Sequence, residues 1–261
     1  MNVVDIAFEA IHRCGAAYAN DVTWKAEIEG DRIDLETLAE LFSEGDPLVA
    51  QEAAGEYSLE SATLQDSSGQ IDLGAANALV KRVNGIARTV DHGYQPVRTT
   101  GRYIGPDAKV SVVVMGAVAR GRIKLRGTVT VTVDGKPVVE SPAMPKGLRY
   151  MKLATQDSNV ADAIRVMGQS DQLDWYDLYK AWEIIRDSVG NQKKVVQRGW
   201  ATDSDLNRLT ASANHPGISG DQARHARMSG RPSAKSTMTL SEGEALVRRL
   251  MGRWIESHPS Y

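Results

Sequence analysis

The chain has 261 residues, 25% of them charged and 42% hydrophobic, which suits one large globular domain or two small ones and excludes disorder, collagen and coiled coil. Its longest nearly uncharged apolar stretch, Val110 to Ala119, covers ten residues and includes Ser111, short of the roughly 18 or more needed to span a membrane. The net charge of −2 is a sum over blocks of opposite sign: residues 27–72 hold thirteen acidic and one basic residue, 81–126 ten basic and two acidic, and 192–235 eight basic and three acidic. The N-terminus, with Asp5 and Glu9 among its apolar residues, lacks the basic start and apolar core of a signal peptide, so a cytoplasmic location is expected. Cys14 is the only cysteine, which rules out an intrachain disulfide and a Cys-based zinc site.

Val3 to Arg13 alternates with period two, as does Trp24 to Glu29, and both predict half-buried strands. A short helix is expected through Leu35, Leu38, Leu41 and Phe42, capped by Asp34 and ending before Gly45. Leu73 to Val90 carries a sustained helical stripe. From Tyr94 to Val139 the pattern becomes strand-like, with Asp134-Gly135 as a hairpin turn, and predicts an antiparallel sheet with one helix on a face. Beyond Pro142, Pro145 and Gly147 the chain reads as helical, over 160–167, 173–187, 203–212 and 241–258. Ser241 and Glu244 have capping-box spacing, with Leu240 and Ala245 as a staple. The expected fold is α+β: a β-rich domain over 1–150 with a helix near 73–90, then a mainly helical domain over 151–261.

Several chemistries fail on spacing. Gly116 to Arg122 lacks the Lys and Ser/Thr of a phosphate loop, and Ser219 misses the nucleophile-elbow spacing by one residue. The informative stretch is a polar loop near 198–235. There His215 or His225 reads as a general acid/base and Arg208 or Arg224 as an oxyanion support. In the plainer reading Asn214 and Asp221 cap turns, Arg224 pairs with a carboxylate and His225 packs by a hydrogen bond. A metal site at Asp221, His225 and His215 is opposed by the neighbouring charges of Arg224 and Arg227. Trp175, Trp182 and Trp254 fall on apolar helix faces, leaving Trp200 as the candidate for stacking.

Arg208 and His215, with six residues between them, resemble the Arg-x4-6-His signature of HEPN nucleases, helical proteins that cleave RNA without metal at a composite dimer site. The resemblance implies catalytic roles for that pair and a homodimer. Leu209 stands where a polar residue is usual, and Pro216 directly after His215 opposes a continuing helix. Residues 174–187, Ala213-Asn214, 220–226 and 238–242 are similar to the C-terminal region of a widespread set of uncharacterised bacterial proteins, and this implies a bacterial origin and a two-part architecture.

Alternation also places Arg120, Arg122, Lys124 and Arg126 on one face of the sheet, either as a phosphate-binding row or as the counter-surface of the acidic segment. The first functional reading is a binding or sensor-type protein. It would recognise an anionic ligand, RNA or DNA, or a protein partner through Asn214, Asp221, Arg224, Arg227 and the basic row. The alternatives are a metal-independent HEPN-like ribonuclease of a defence or toxin-like system, using His215, His225, Arg208 and Arg224, and a structural subunit. Whether the chain is an enzyme stays open; no cofactor, metal or membrane partner is expected.

Overall fold

The protein is seen in a computed structural model that describes residues 23–52, 55–106, 110–112, 132–133, 136–137, 144–219 and 236–259. The strand expected at 3–13, Cys14, and the row Arg120, Arg122, Lys124 and Arg126 lie outside the described residues. Strand β1 (Trp24–Glu29) buries Trp24, Ala26 and Ile28 and turns Lys25, Glu27 and Glu29 outward, as its alternation predicts. Helix α1 (Arg32–Leu41) follows. Its N-cap is Asp31, not Asp34: the Asp31 carbonyl already accepts the N–H groups of Asp34 and Leu35, so Asp34 falls in the first turn and is buried.

Strands β2 (Leu48–Gln51) and β3 (Tyr57–Ser61) come next, then a 3-10 turn over Ala62–Leu64 and helix α2 (Leu73–Val90). Strands β4 (Arg98–Ile104) and β5 (Val110–Val112) complete a five-stranded antiparallel sheet of order β2-β3-β1-β4-β5. A separate antiparallel pair joins β6 (Thr132–Val133) to β7 (Lys136–Pro137); the turn expected at Asp134-Gly135 lies outside the described residues. The remaining elements are helical: α3 (Lys146–Gln156), α4 (Ser158–Gly168), α5 (Trp175–Val189), α6 (Gln192–Gln197), α7 (Asp203–Asn214), α8 (Pro216–Ser219) and α9 (Leu240–Glu256). The fold is α+β, with the sheet N-terminal and most helices C-terminal. Among the described residues no helix is long and apolar enough to cross a membrane.

Helix α2 is the hub. Ala76, Leu79, Val80 and then every residue from Val83 to Thr89 are buried, so its second half is covered all round and not only on one stripe. It packs against β4, α1, α3, α4 and α9, and one continuous apolar core runs from the sheet through it into the helices. The boundary expected at residue 150 falls inside α3. Buried Asn84 is fully used: its amide N–H donates to the Val97 carbonyl at 2.8 Å, and its Oδ1 accepts the Val97 N–H at 3.0 Å and the Tyr94 hydroxyl at 2.5 Å. This locks the approach to β4 onto α2. Burial, followed by the Asp34 charge, holds the Tyr94 phenol well above its ordinary range, so it stays a donor to Asn84.

Glycines set the α2–α4 distance. A Cβ at Gly85 would collide with the Ile164 carbonyl, and one at Gly168 with the Lys81 carbonyl, both rigid backbone. Gly252 on α9 faces open space. Gly85→Ala and Gly168→Ala should each cost about 2–3 kcal/mol, because backbone atoms cannot yield as a side chain does. Gly252→Ala should stabilise by about 0.5–1 kcal/mol through helix propensity. Denaturant unfolding of the three variants checks both signs.

Asp177, in the first turn of α5, is buried; its Oδ1 accepts from Gln169 Nε2 at 3.1 Å and its Oδ2 has no partner. Burial, and then the Asp174 charge, raise its carboxyl above the ordinary 3.8. The fold therefore favours the protonated acid: the contribution is complete below 3.8 and is lost as pH rises through the raised value. Asp177→Asn keeps an acceptor for Gln169 and removes the charge. Its stability relative to the parent should improve as pH rises from about 4 to about 7, whereas a pH-independent difference would count against the assignment.

Candidate functional site

Helix α7 places the described residues singled out by the HEPN resemblance. Its N-terminus is closed by a Thr202–Asp205 capping box, and Leu206, Leu209 and Ala213 bury its inner face. The helix expected over 203–212, within the stretch read as a polar loop at 198–235, is observed over 203–214. Arg208 donates from Nε to the Thr237 carbonyl at 2.9 Å and lies 3.6 Å from the Glu242 carboxylate, tying α7 to the start of α9. His215 is the C-cap, in the extended conformation that a following proline imposes, and its Nδ1 accepts the Gly217 N–H at 3.0 Å. Asn214 ends α7 with its Oδ1 buried and without a partner. The two members of the Arg-His pair lie two helical turns apart, about 10 Å along the axis, and each engages backbone groups. Asp221, Arg224, His225 and Arg227 lie outside the described residues. Among the described residues no group of three or more His, Cys, Asp or Glu side chains is placed to hold a metal ion.

The outward face of the sheet accounts for part of the charge polarity. Arg102 lies 2.8 Å from Glu27 and 3.8 Å from Glu56, Arg98 lies 3.6 Å from Glu29, and Lys25 lies 2.7 Å from Glu60 and 3.2 Å from Glu52. Two arginines of the basic segment thus meet the acidic segment across strands β1 and β4.

The cavity of interest lies elsewhere, a cleft of about 560 Å³ where α2 ends and α3 and α9 pass. Its floor is two adjoining four-residue ridges of α9. One carries Ser241, Ala245, Arg249 and Arg253; the other carries Glu244, Arg248, Gly252 and Glu256. Thr89, Val90 and His92 from the end of α2, with Lys146 and Tyr150 from the start of α3, form the walls.

Arg248 is the buried member, 3% exposed. Its Nη1 donates to the carbonyls of Arg88 at 2.9 Å and Asp91 at 2.5 Å, closing the end of α2, and its Nη2 donates to Glu244. Arg88 repeats the device one layer on: Nη1 donates to the carbonyls of Met167 at 2.9 Å and Ser170 at 2.6 Å, and Nη2 to that of Asp171, closing the end of α4. Burial, followed by repulsion from Arg248, pushes Arg88 down to about 10. Glu256 is committed to Lys146 at 3.0 Å, whose ammonium also lies over the Tyr150 ring. Both carboxylates of the cleft are thus paired, while Arg249 and Arg253, exposed and four residues apart, engage no carboxylate among the described residues.

The start of α9 differs from its expected form and bears on this site. The capping box is Thr239–Glu242, not Ser241–Glu244, and Leu240 is exposed, so no staple forms. The earlier box is selected because Met238 is buried and held by Ser212 Oγ, which accepts its N–H at 2.8 Å, so the turn into the helix falls at Thr239. Sequence reasoning assigned α9 its apolar face and missed Arg248, Arg249 and Arg253; their clustering at spacings of four and five was the available signal. No family model matches the chain, and neither curated proteins nor solved structures yield a match.

Replacing Arg248 with Met should cost about 3–5 kcal/mol, since it strips two helix-end carbonyls and the half-buried Glu244 carboxylate of their donor at once. Thermal and urea unfolding measure it, and a loss below about 1 kcal/mol would contradict the bracing role.

Proposed function

We propose that the protein is a binding protein for an anionic ligand, seated in the cleft between the end of α2, the start of α3 and α9. One observation carries the reading: the cleft presents Lys146, Arg248, Arg249 and Arg253 against two carboxylates that are already paired, leaving Arg249 and Arg253 with no counter-charge among the described residues. Like charges four residues apart on a helix repel, so an anion bridging them relieves a cost that the free protein carries. The small residues Ala245 and Gly252 between the charges leave room at the floor. Planar guanidinium groups favour phosphate or carboxylate oxygens. This reading keeps the anionic ligand expected from the sequence and moves its site from the segment around Arg224 to α9.

Inorganic tripolyphosphate is a suitable first probe. It should raise the melting temperature of the parent in proportion to the logarithm of its concentration, and the rise should disappear in the double variant Arg249→Glu, Arg253→Glu. An equal rise in both proteins, or none in either, would remove the reading.

A further inference from the structure

We infer that the anion is the phosphodiester backbone of a single-stranded nucleic acid, lying along α9 from Arg249 through Arg253 to Arg198, with a base stacked at the Arg198–Trp200 pair; this rests on the anionic reading of the cleft. Arg198, just past α6, donates from Nη1 to Ser257 Oγ at 3.5 Å, and its guanidinium lies over the Trp200 ring at 4.9 Å. Ser257 stands one four-residue step beyond Arg253, as Arg253 does beyond Arg249. Each such step advances about 6 Å along the helix. Two elements far apart in sequence therefore bring a third arginine to the position that follows Arg249 and Arg253 on this ridge, which begins in the cleft and leaves it at the C-terminal end of α9.

A single compact anion would use one or two of these charges; a regular row matches a polymer with one charge per repeat. The carboxylates that border the row are occupied, Glu256 by Lys146 at 3.0 Å and Asp157 by the N–H groups of Asn159 and Val160 at the start of α4, at 2.7 and 3.3 Å. At its end the row meets the exposed Arg198 guanidinium, held over a Trp200 ring that packs against the core, a surface that suits an unpaired base, whereas a duplex keeps its bases inside and an acidic peptide has none to offer. The three arginines are exposed, so their replacement leaves the fold in place.

The test uses the full chain and a fluorescent oligouridylate followed by anisotropy at about 50 and about 200 mM salt. Binding should weaken steeply with salt. Arg198→Ala should lower affinity about tenfold and flatten the salt dependence by about one charge, while leaving the melting-temperature rise with tripolyphosphate intact. Arg249→Ala should weaken both. If tripolyphosphate still stabilises the protein but oligouridylate does not bind, the nucleic-acid inference falls and the anionic cleft stands; if neither acts, both fall. Binding of a glutamate-rich peptide or a blunt duplex as tightly as the single strand, or indifference of oligouridylate binding to Arg198→Ala, would also overturn it.

Discussion

Two buried guanidinium groups hold the helical half to the sheet half. A charge withdrawn from water is costly unless its donors are filled, and here helix-end carbonyls, with Glu244, fill the terminal nitrogens of Arg88 and Arg248, while the Nε of each is buried without a partner among the described residues. Arg248 of α9 grips the end of α2, and Arg88 of α2 grips the end of α4, so each helix that supplies an arginine passes the constraint to the next. The carbonyl end of a helix carries partial negative charge, so each contact joins hydrogen bonding to electrostatic attraction. The cleft is the outer side of the first of these joints: Arg248 is buried in its floor, and Arg249, the next residue, is exposed beside it.

Much of the fold was legible from periodicity. The range expected for α2 coincides with the observed helix, and the apolar faces assigned to α5 and α9 are buried. Strands β2 and β3 escaped because they are four and five residues long, and in β3 Ser58, Glu60 and Ser61 dilute the apolar signal. Helix α3 escaped because prolines and Gly147 read as a boundary; Gly147 is there for contact, since a Cβ would strike the Leu41 carbonyl. The candidate site was not legible because nothing local distinguishes a buried arginine such as Arg248 from an exposed one such as Arg249. The distinction comes from the end of α2, about 160 residues earlier in the chain. Histidine and arginine spacing on α7 drew attention for the opposite reason, a local pattern whose described members turn out to serve helix ends.

The charge polarity that the sequence displays divides by location. On the sheet, acidic and basic segments meet as cross-strand neighbours, and such half-exposed pairs contribute little stability while they keep the face mutually neutral. On α9 the arginines of the outer ridge have no such counterpart among the described residues. A chain of nearly zero net charge can therefore carry an uncompensated field in one place because it is compensated elsewhere.

The selection of Thr239 as the helix cap has a consequence for that field. The string Thr239-Leu240-Ser241-Glu242-Gly243-Glu244 contains two overlapping start signals, and closing the first with Glu242 leaves the second glutamate uncommitted. Glu244 is then available one turn before Arg248, where it neutralises the charge that closes α2. Had the helix begun two residues later, the same glutamate would have been spent on the cap and the interior arginine left without an anion. Where the helix starts and whether its buried charge is matched are thus one choice, made by which of two adjacent carboxylates turns back to the backbone.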